Sequence, residues 1–168
     1  MDLIIPSKLN HSLLRILACA ILGLIFLSSC NDDRFYERNI GISNGEWHVK
    51  DKKVFEVAVQ DTLAQYDFYI NVRNSGGYPY ANLFLFLNTV FPNGEMARDT
   101  LELLLADPSG KWLGKGSGDI YDNRIMFKKG AVFPMAGSYR FEFEHGMRTE
   151  TLSHIMDIGL RIEKFDRK

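Results

Sequence analysis

Cysteine is scarce in this chain. Of its 168 residues only Cys19 and Cys30 are cysteines. Residues 31–168 therefore hold no disulfide and no thiolate metal site, and must be held by a core. Histidine is thin as well: His11, His48, His145 and His154 follow no metal-ligand spacing. No excess of either charge exists, with 20 basic and 21 acidic residues and a net charge of −1. Setting aside Lys8, Arg15 and Asp2 near the N-terminus leaves 18 basic and 20 acidic residues, with no basic run longer than a pair. A nucleic-acid partner asks for a basic face or stripe, so none is expected.

Catalytic patterns are missing too. No Gly-x-Ser-x-Gly elbow occurs. The glycine-rich stretch from Gly110 to Asp119 has three residues between Gly110 and Gly114-Lys115. A phosphate loop needs four there, then Ser or Thr and a helix, so a bent loop or bulge anchored by Trp112 is the better reading. Asp119, Asp122 and Asn123 lack the ligand order of a calcium loop. Paired carboxylates for glycoside hydrolysis meet only in three dimensions, and nothing marks such a pair. The expectation is a protein that is not an enzyme, with no metal and no cofactor.

The longest apolar run, Ile16–Leu27, has twelve residues. A membrane-spanning helix takes about 20, so the run suits the hydrophobic region of a secretory signal. Lys8, His11 and Arg15 precede it, and Leu27-Ser28-Ser29-Cys30 closes it. Small residues before a cysteine in this register resemble a bacterial lipobox. Residues 1–29 thus read as a lipoprotein signal peptide cleaved before Cys30, which carries the lipid. An ordinary signal peptidase site at Ser28-Ser29, or an N-terminal membrane helix, is the plainer alternative. Cys19 also follows a small residue, but Arg15 interrupts the apolar run before it.

Residues 30–44 read as a lipidated flexible tether, polar and without a period. Asp32 and Asp33 so close to Cys30 resemble a sorting signal, or belong to a merely solvated linker. From there on the period is two. Phe55, Val57 and Val59 alternate with polar or small neighbours, as do Phe68, Ile70 and Val72. Leu101, Leu103 and Leu105 repeat the pattern, followed by Tyr139, Phe141 and Phe143, then Ile158, Leu160 and Ile162. Alternation places one face on a core and the other in water, the mark of antiparallel sheet. Leu83-Phe84-Leu85-Phe86-Leu87 is apolar on both faces and belongs centrally. Turn residues separate the runs, including Asn74-Ser75-Gly76-Gly77, Pro92-Asn93-Gly94, Asp107-Pro108-Ser109-Gly110 and Lys129-Gly130. Only Gly146–Ser153 looks briefly helical. The expected fold is all-β, an antiparallel β-sandwich over 45–168, jelly-roll-like or immunoglobulin-like.

Tyr78-Pro79-Tyr80, before the most apolar strand, could join Trp112 and Arg124 in an interaction surface, because Tyr, Trp and Arg are favoured interface anchors. The plainer reading is that the tyrosines cap an edge of the sandwich.

These residues, with Phe91-Pro92-Asn93-Gly94, Arg98-Asp99-Thr100-Leu101, Gly110-Lys111-Trp112-Leu113-Gly114-Lys115-Gly116, Gly118-Asp119-Ile120 and Ile155-Met156-Asp157-Ile158-Gly159-Leu160, resemble the gliding-motility lipoprotein GldH family. The resemblance covers nearly all of residues 30–164. It implies a lipid-anchored envelope protein, on the outer membrane, with protein partners in the gliding machinery. It implies no enzyme, cofactor or ligand, and carries over lipidation at Cys30 alone. The rival expectation is a glycan-binding surface lipoprotein, which rests on fold analogy.

Overall fold

A computed structural model describes residues 33–165. Cys30 and the leader lie outside the described residues. Eleven strands follow in order: β1 (Arg34–Gly41), β2 (Glu46–His48), β3 (Lys53–Val59), β4 (Tyr66–Ser75), β5 (Asn82–Val90), β6 (Met96–Leu104), β7 (Lys115–Ser117), β8 (Ile120–Ala131), β9 (Gly137–His145), β10 (Thr151–Ser153) and β11 (Ile155–Lys164). The one helical piece among the described residues is a 3-10 turn, Ser43–Gly45.

Five strands form one sheet in the order β1-β11-β4-β8-β7, and four form a second in the order β3-β9-β5-β6. Every pairing is antiparallel. The pairs β1·β11, β3·β9, β4·β8 and β5·β6 are successive segments of one long antiparallel ribbon. Wound up so that alternate pairs fall in alternate sheets, that ribbon is a jelly roll. The strand order thus selects the jelly-roll member of the two expected sandwiches.

Each alternating run turns its apolar side inward. Phe55, Val57, Leu83, Leu85, Leu103, Tyr139 and Phe143 of the second sheet are buried. So are Phe68, Ile70, Val72, Ile158, Leu160 and Ile162 of the first. Rings concentrate towards one end, where Phe133 lies 4.8 Å from Tyr139, 5.2 Å from Tyr66 and 5.4 Å from Phe68. At the other end the small β2–β10 ribbon seats Trp47, whose Nε1 donates to the Asp51 carbonyl at 2.7 Å. Beneath it lies His145, buried, 5.5 Å from the indole ring centroid.

Three local expectations need correction. The tether does not extend to residue 44: from Arg34 the chain is strand β1, paired with β11. Arg34, Glu37, Arg38 and Asn39 leave this strand no apolar alternation to mark it. Gly146–Ser153 is not helical; it is turn followed by β10. Lys129-Gly130 does not separate two strands but lies inside β8, where Gly130 takes φ 58° and its N–H donates to Asp67 Oδ1 at 2.7 Å.

Candidate functional site

The first sheet carries a groove of about 860 Å³ on its outer face. Its floor comes from cross-strand rows. One row runs Asp157, Arg73, Asp122, Lys115 across β11, β4, β8 and β7. Charge alternates along it, and Arg73 contacts Asp122 at 2.6 Å and Asp157 at 3.1 Å. The next row runs Asn39, Gly159, Asn71, Arg124 across β1, β11, β4 and β8.

Gly159 is the reason Asn39 and Asn71 can meet. Their strands are separated by β11, about 9.6 Å apart at the usual strand spacing. Asn71 Nδ2 nevertheless donates to Asn39 Oδ1 at 3.1 Å, passing over the glycine. A Cβ at residue 159 would sit 1.7 Å from that Oδ1 and 2.8 Å from the Arg38 carbonyl oxygen. The glycine is needed here for space.

Glu37 ties the rows together. It accepts from Asn71 at 2.9 Å and from Arg161, and Arg124 lies 3.8 Å away. Burial raises the Glu37 carboxyl, but the hydrogen bonds from Asn71, Arg161 and Arg34 outweigh it and hold the group below the usual range. Asp157 goes the other way: burial pushes its carboxyl up, and Arg73 only partly opposes this. The open Arg73–Asp122 pair contributes about 0–1 kcal/mol, whereas the Glu37–Arg161 pair is largely shielded from water. Their consequence is order: a set of donors and acceptors held in place before any ligand arrives.

The groove wall is the chain between β6 and β7. Asp107 Oδ1 accepts from Ser109 Oγ at 2.6 Å, Ser109 N at 2.9 Å and Lys111 N at 3.0 Å, closing the Pro108-Ser109 turn. Ala106 bridges Trp112, and Leu113 N–H donates to the Leu105 carbonyl at 2.8 Å. Leu104 and Leu113 line the groove and are exposed. Under the wall two core amides are joined, Asn123 Nδ2 donating to Asn74 Oδ1 at 2.9 Å.

Of the residues singled out from sequence, Arg124 lines the groove and Trp112 sits in its wall-forming loop. Trp112 packs at 5.5 Å from Tyr121 and 6.4 Å from Tyr78. Tyr78 is in the core, 4% exposed, its hydroxyl donating to the Asn82 carbonyl at 2.9 Å. Burial drives its phenol well above the usual value. It cannot serve as contact surface. Tyr80 remains 41% exposed, in edge contact with Tyr78. Sequence reading missed Asn39, Asn71, Arg73, Asp157 and Gly159, which acquire meaning only through strand register. Among the described residues no group of three or more His, Cys, Asp or Glu could hold a metal ion.

This strand order defines the class: an all-β, jelly-roll sandwich. The chain belongs to the GldH lipoprotein family, whose profile matches residues 34–162. It is 37% identical over 153 residues to the gliding motility lipoprotein GldH homolog of Christiangramia forsetii, covering 87% of this chain and 93% of that one. It is 31% identical over 153 residues to the gliding motility lipoprotein GldH of Flavobacterium johnsoniae, covering 87% and 94%. Among solved structures, the Yersinia pseudotuberculosis-derived mitogen is similar at 10% identity and a TM-score of 0.32, over 79% of this chain and 89% of that one. That score is too low to bear on fold or function.

Proposed function

We propose that this chain is an envelope lipoprotein, anchored in the outer membrane through lipid on Cys30, whose sandwich is a non-catalytic docking component of the gliding machinery. Membership of a lipoprotein family supports the anchor, as does the lipobox at Leu27–Cys30. The groove carries the docking role. Its charged row is already ordered by internal pairs, and the exposed Leu104 and Leu113 stand at its wall. Ordered polar groups beside a small apolar surface suit a protein partner, because little side-chain entropy is lost on binding. Arg124 and the Trp112 loop then belong to one surface, with Tyr80 beyond it.

Affinity capture from crosslinked envelopes should recover stoichiometric protein partners. The double variant Arg73→Glu, Arg124→Glu should lose them. Recovering none, in cells where deletion has a phenotype, overturns the reading. For the anchor, Cys30→Ser should leave an unlipidated precursor while Cys19→Ser is lipidated normally.

A second reading is a glycan-binding lipoprotein. The Asn39–Asn71 amide pair and the neighbouring carboxylates offer paired donors and acceptors that match sugar hydroxyls. Saturable binding on a glycan array, abolished by Asn71→Ala, would replace the docking reading with this one.

A further inference from the structure

We propose that one end of the sandwich, bearing Leu63, Met96 and Val132, lies against the lipid bilayer, so that the strands stand upright on the membrane. The inference rests on the reading of Cys30 as the lipidated residue. Two observations carry it.

The first is where the chain enters the fold. β1 begins at Arg34, so only Asn31, Asp32 and Asp33 separate Cys30 from a strand hydrogen-bonded into a sheet. Four residues span at most about 14 Å. The domain cannot stand off the headgroups. Whichever end receives Asp33 must be the near end.

The second is what that end exposes. The Lys164 N–H donates to the Asp33 carbonyl and the Phe165 N–H to the Gln65 carbonyl, each at 2.8 Å. Phe35 packs 4.9 Å from Tyr66 and 6.4 Å from Phe133. The turn holding Leu63, the segment holding Val132 and the start of β6 at Met96 all lie at this end, as the registers of β3 with β9, β4 with β8 and β5 with β6 require. Leu63 is 91% exposed, Met96 72% and Val132 52%. An apolar cleft of about 320 Å³, lined by Phe91, Val132 and Phe133, opens beside them.

Lys128, Lys129 and Lys164 are exposed around the three apolar side chains. Such side chains lay their stems along an apolar boundary and keep the ammonium at headgroup level. Asp33, Asp61 and Glu95 are at the same end. The charges therefore nearly balance, and contact depends on apolar burial more than on anionic lipid. Asp61 has a local task in shaping the turn, since its Oδ1 accepts from the Leu63 and Ala64 N–H groups at 3.0 Å. With this end down, nine-residue strands lift the opposite end about 30 Å. Tyr80, Trp112 and Leu113 then face away from the membrane, where a partner can reach them.

The test uses the lipidated protein purified from membranes and reconstituted in phosphatidylethanolamine–phosphatidylglycerol vesicles. Residues 31–168 contain no cysteine, so Leu63→Cys, Met96→Cys, Val132→Cys and Leu113→Cys each offer a single thiol for an environment-sensitive fluorophore. Labels at 63, 96 and 132 should shift to the blue and lose several-fold of their accessibility to a water-soluble quencher on reconstitution. The label at 113 should do neither. Vesicle flotation reads the anchor separately. A protein that floats while all four labels report water overturns the orientation and leaves the anchor standing. Shielding at 63, 96 and 132 in native envelopes but not in pure lipid assigns this end to a protein and equally overturns it. A protein that does not float removes the anchor and the orientation together.

Discussion

The two sheets share an inner logic and differ on the outside. Both send alternate apolar residues into one core. On the outer face of the second sheet, Phe86 is half-buried under Arg98, whose guanidinium carbon lies 4.4 Å from the ring centroid, while Phe84 stays 37% exposed and donates its backbone N–H to Met147 Sδ. Beside them Lys52 bridges Glu142 and Glu144 at 3.3 and 2.8 Å. The outer face of the first sheet instead assembles four strands' worth of amides, carboxylates and guanidiniums into a groove, with Gly159 leaving room for them. One sheet carries outward apolar side chains that are only partly covered; the other keeps polar groups in fixed positions and open.

Core truncation on the second sheet should have the largest effect. Phe143 is buried and lies 4.8 Å from Phe55, so Phe143→Ala should lower unfolding free energy by about 3–5 kcal/mol in urea titration. The same truncation of Arg124 should change it by no more than about 0.5 kcal/mol. If the two losses were alike, the contrast between core and groove would fail.

Gly159→Ala comes next, with an expected loss of about 1–3 kcal/mol from overpacking. Adding Asn39→Ala should restore part of it, since the closest clash, 1.7 Å to Asn39 Oδ1, is then removed and the Arg38 carbonyl at 2.8 Å remains. A double-mutant cycle showing no coupling would mean that the glycine is not there for Asn39.

A smaller effect is set by pH. Burial lowers the His145 pKa, and neither ring nitrogen has a hydrogen-bond partner, although the backbones of Glu150 and Trp47 lie close. The folded protein therefore prefers neutral imidazole. Above the unfolded value near 6.5 the residue has no pH-dependent effect. As pH falls through 6.5 the unfolded chain takes a proton that the folded chain refuses, and stability declines until the lower folded pKa is reached. The slope is at most about 1.4 kcal/mol per pH unit. Thermal melts of wild type and His145→Phe at pH 7.5 and 5.5 should show the larger drop in wild type.

Arg73→Ala should also cost little stability, under about 1 kcal/mol. Its effect should appear instead as loosened Asp122 and Asp157 side chains in nuclear magnetic resonance relaxation, and as weaker partner capture. A large fall in melting temperature would make the charged row a structural element and not a recognition surface.

Much of the fold was readable because alternation is local. Phe55, Val57 and Val59 declare an inward face without reference to any other strand, and the same holds for β4, β6, β9 and β11. Leu83–Leu87 declares itself central by being apolar on both sides, and β5 does lie between β9 and β6. β1 resembles a tether because Arg34, Glu37, Arg38 and Asn39 show no apolar alternation, and β8 escapes a reading by alternation. Both strands are stabilised by neighbours far along the chain. The candidate site was legible only at Arg124 and Trp112, chosen by residue type. Tyr78 has the same residue type as Tyr80 yet belongs to the core, since residue type does not say which way a loop faces.

By itself, then, the amino-acid order determined an all-β domain free of cysteine, which runs carry its core, and the family to which it belongs. Tertiary structure alone decided the jelly-roll winding, the meeting of Asn39 with Asn71 across Gly159, and the end at which the chain enters. The physical reason is range. A face is set by residues two apart, whereas a groove, a floor and an orientation are set by register between strands that the sequence separates by as many as a hundred positions or more.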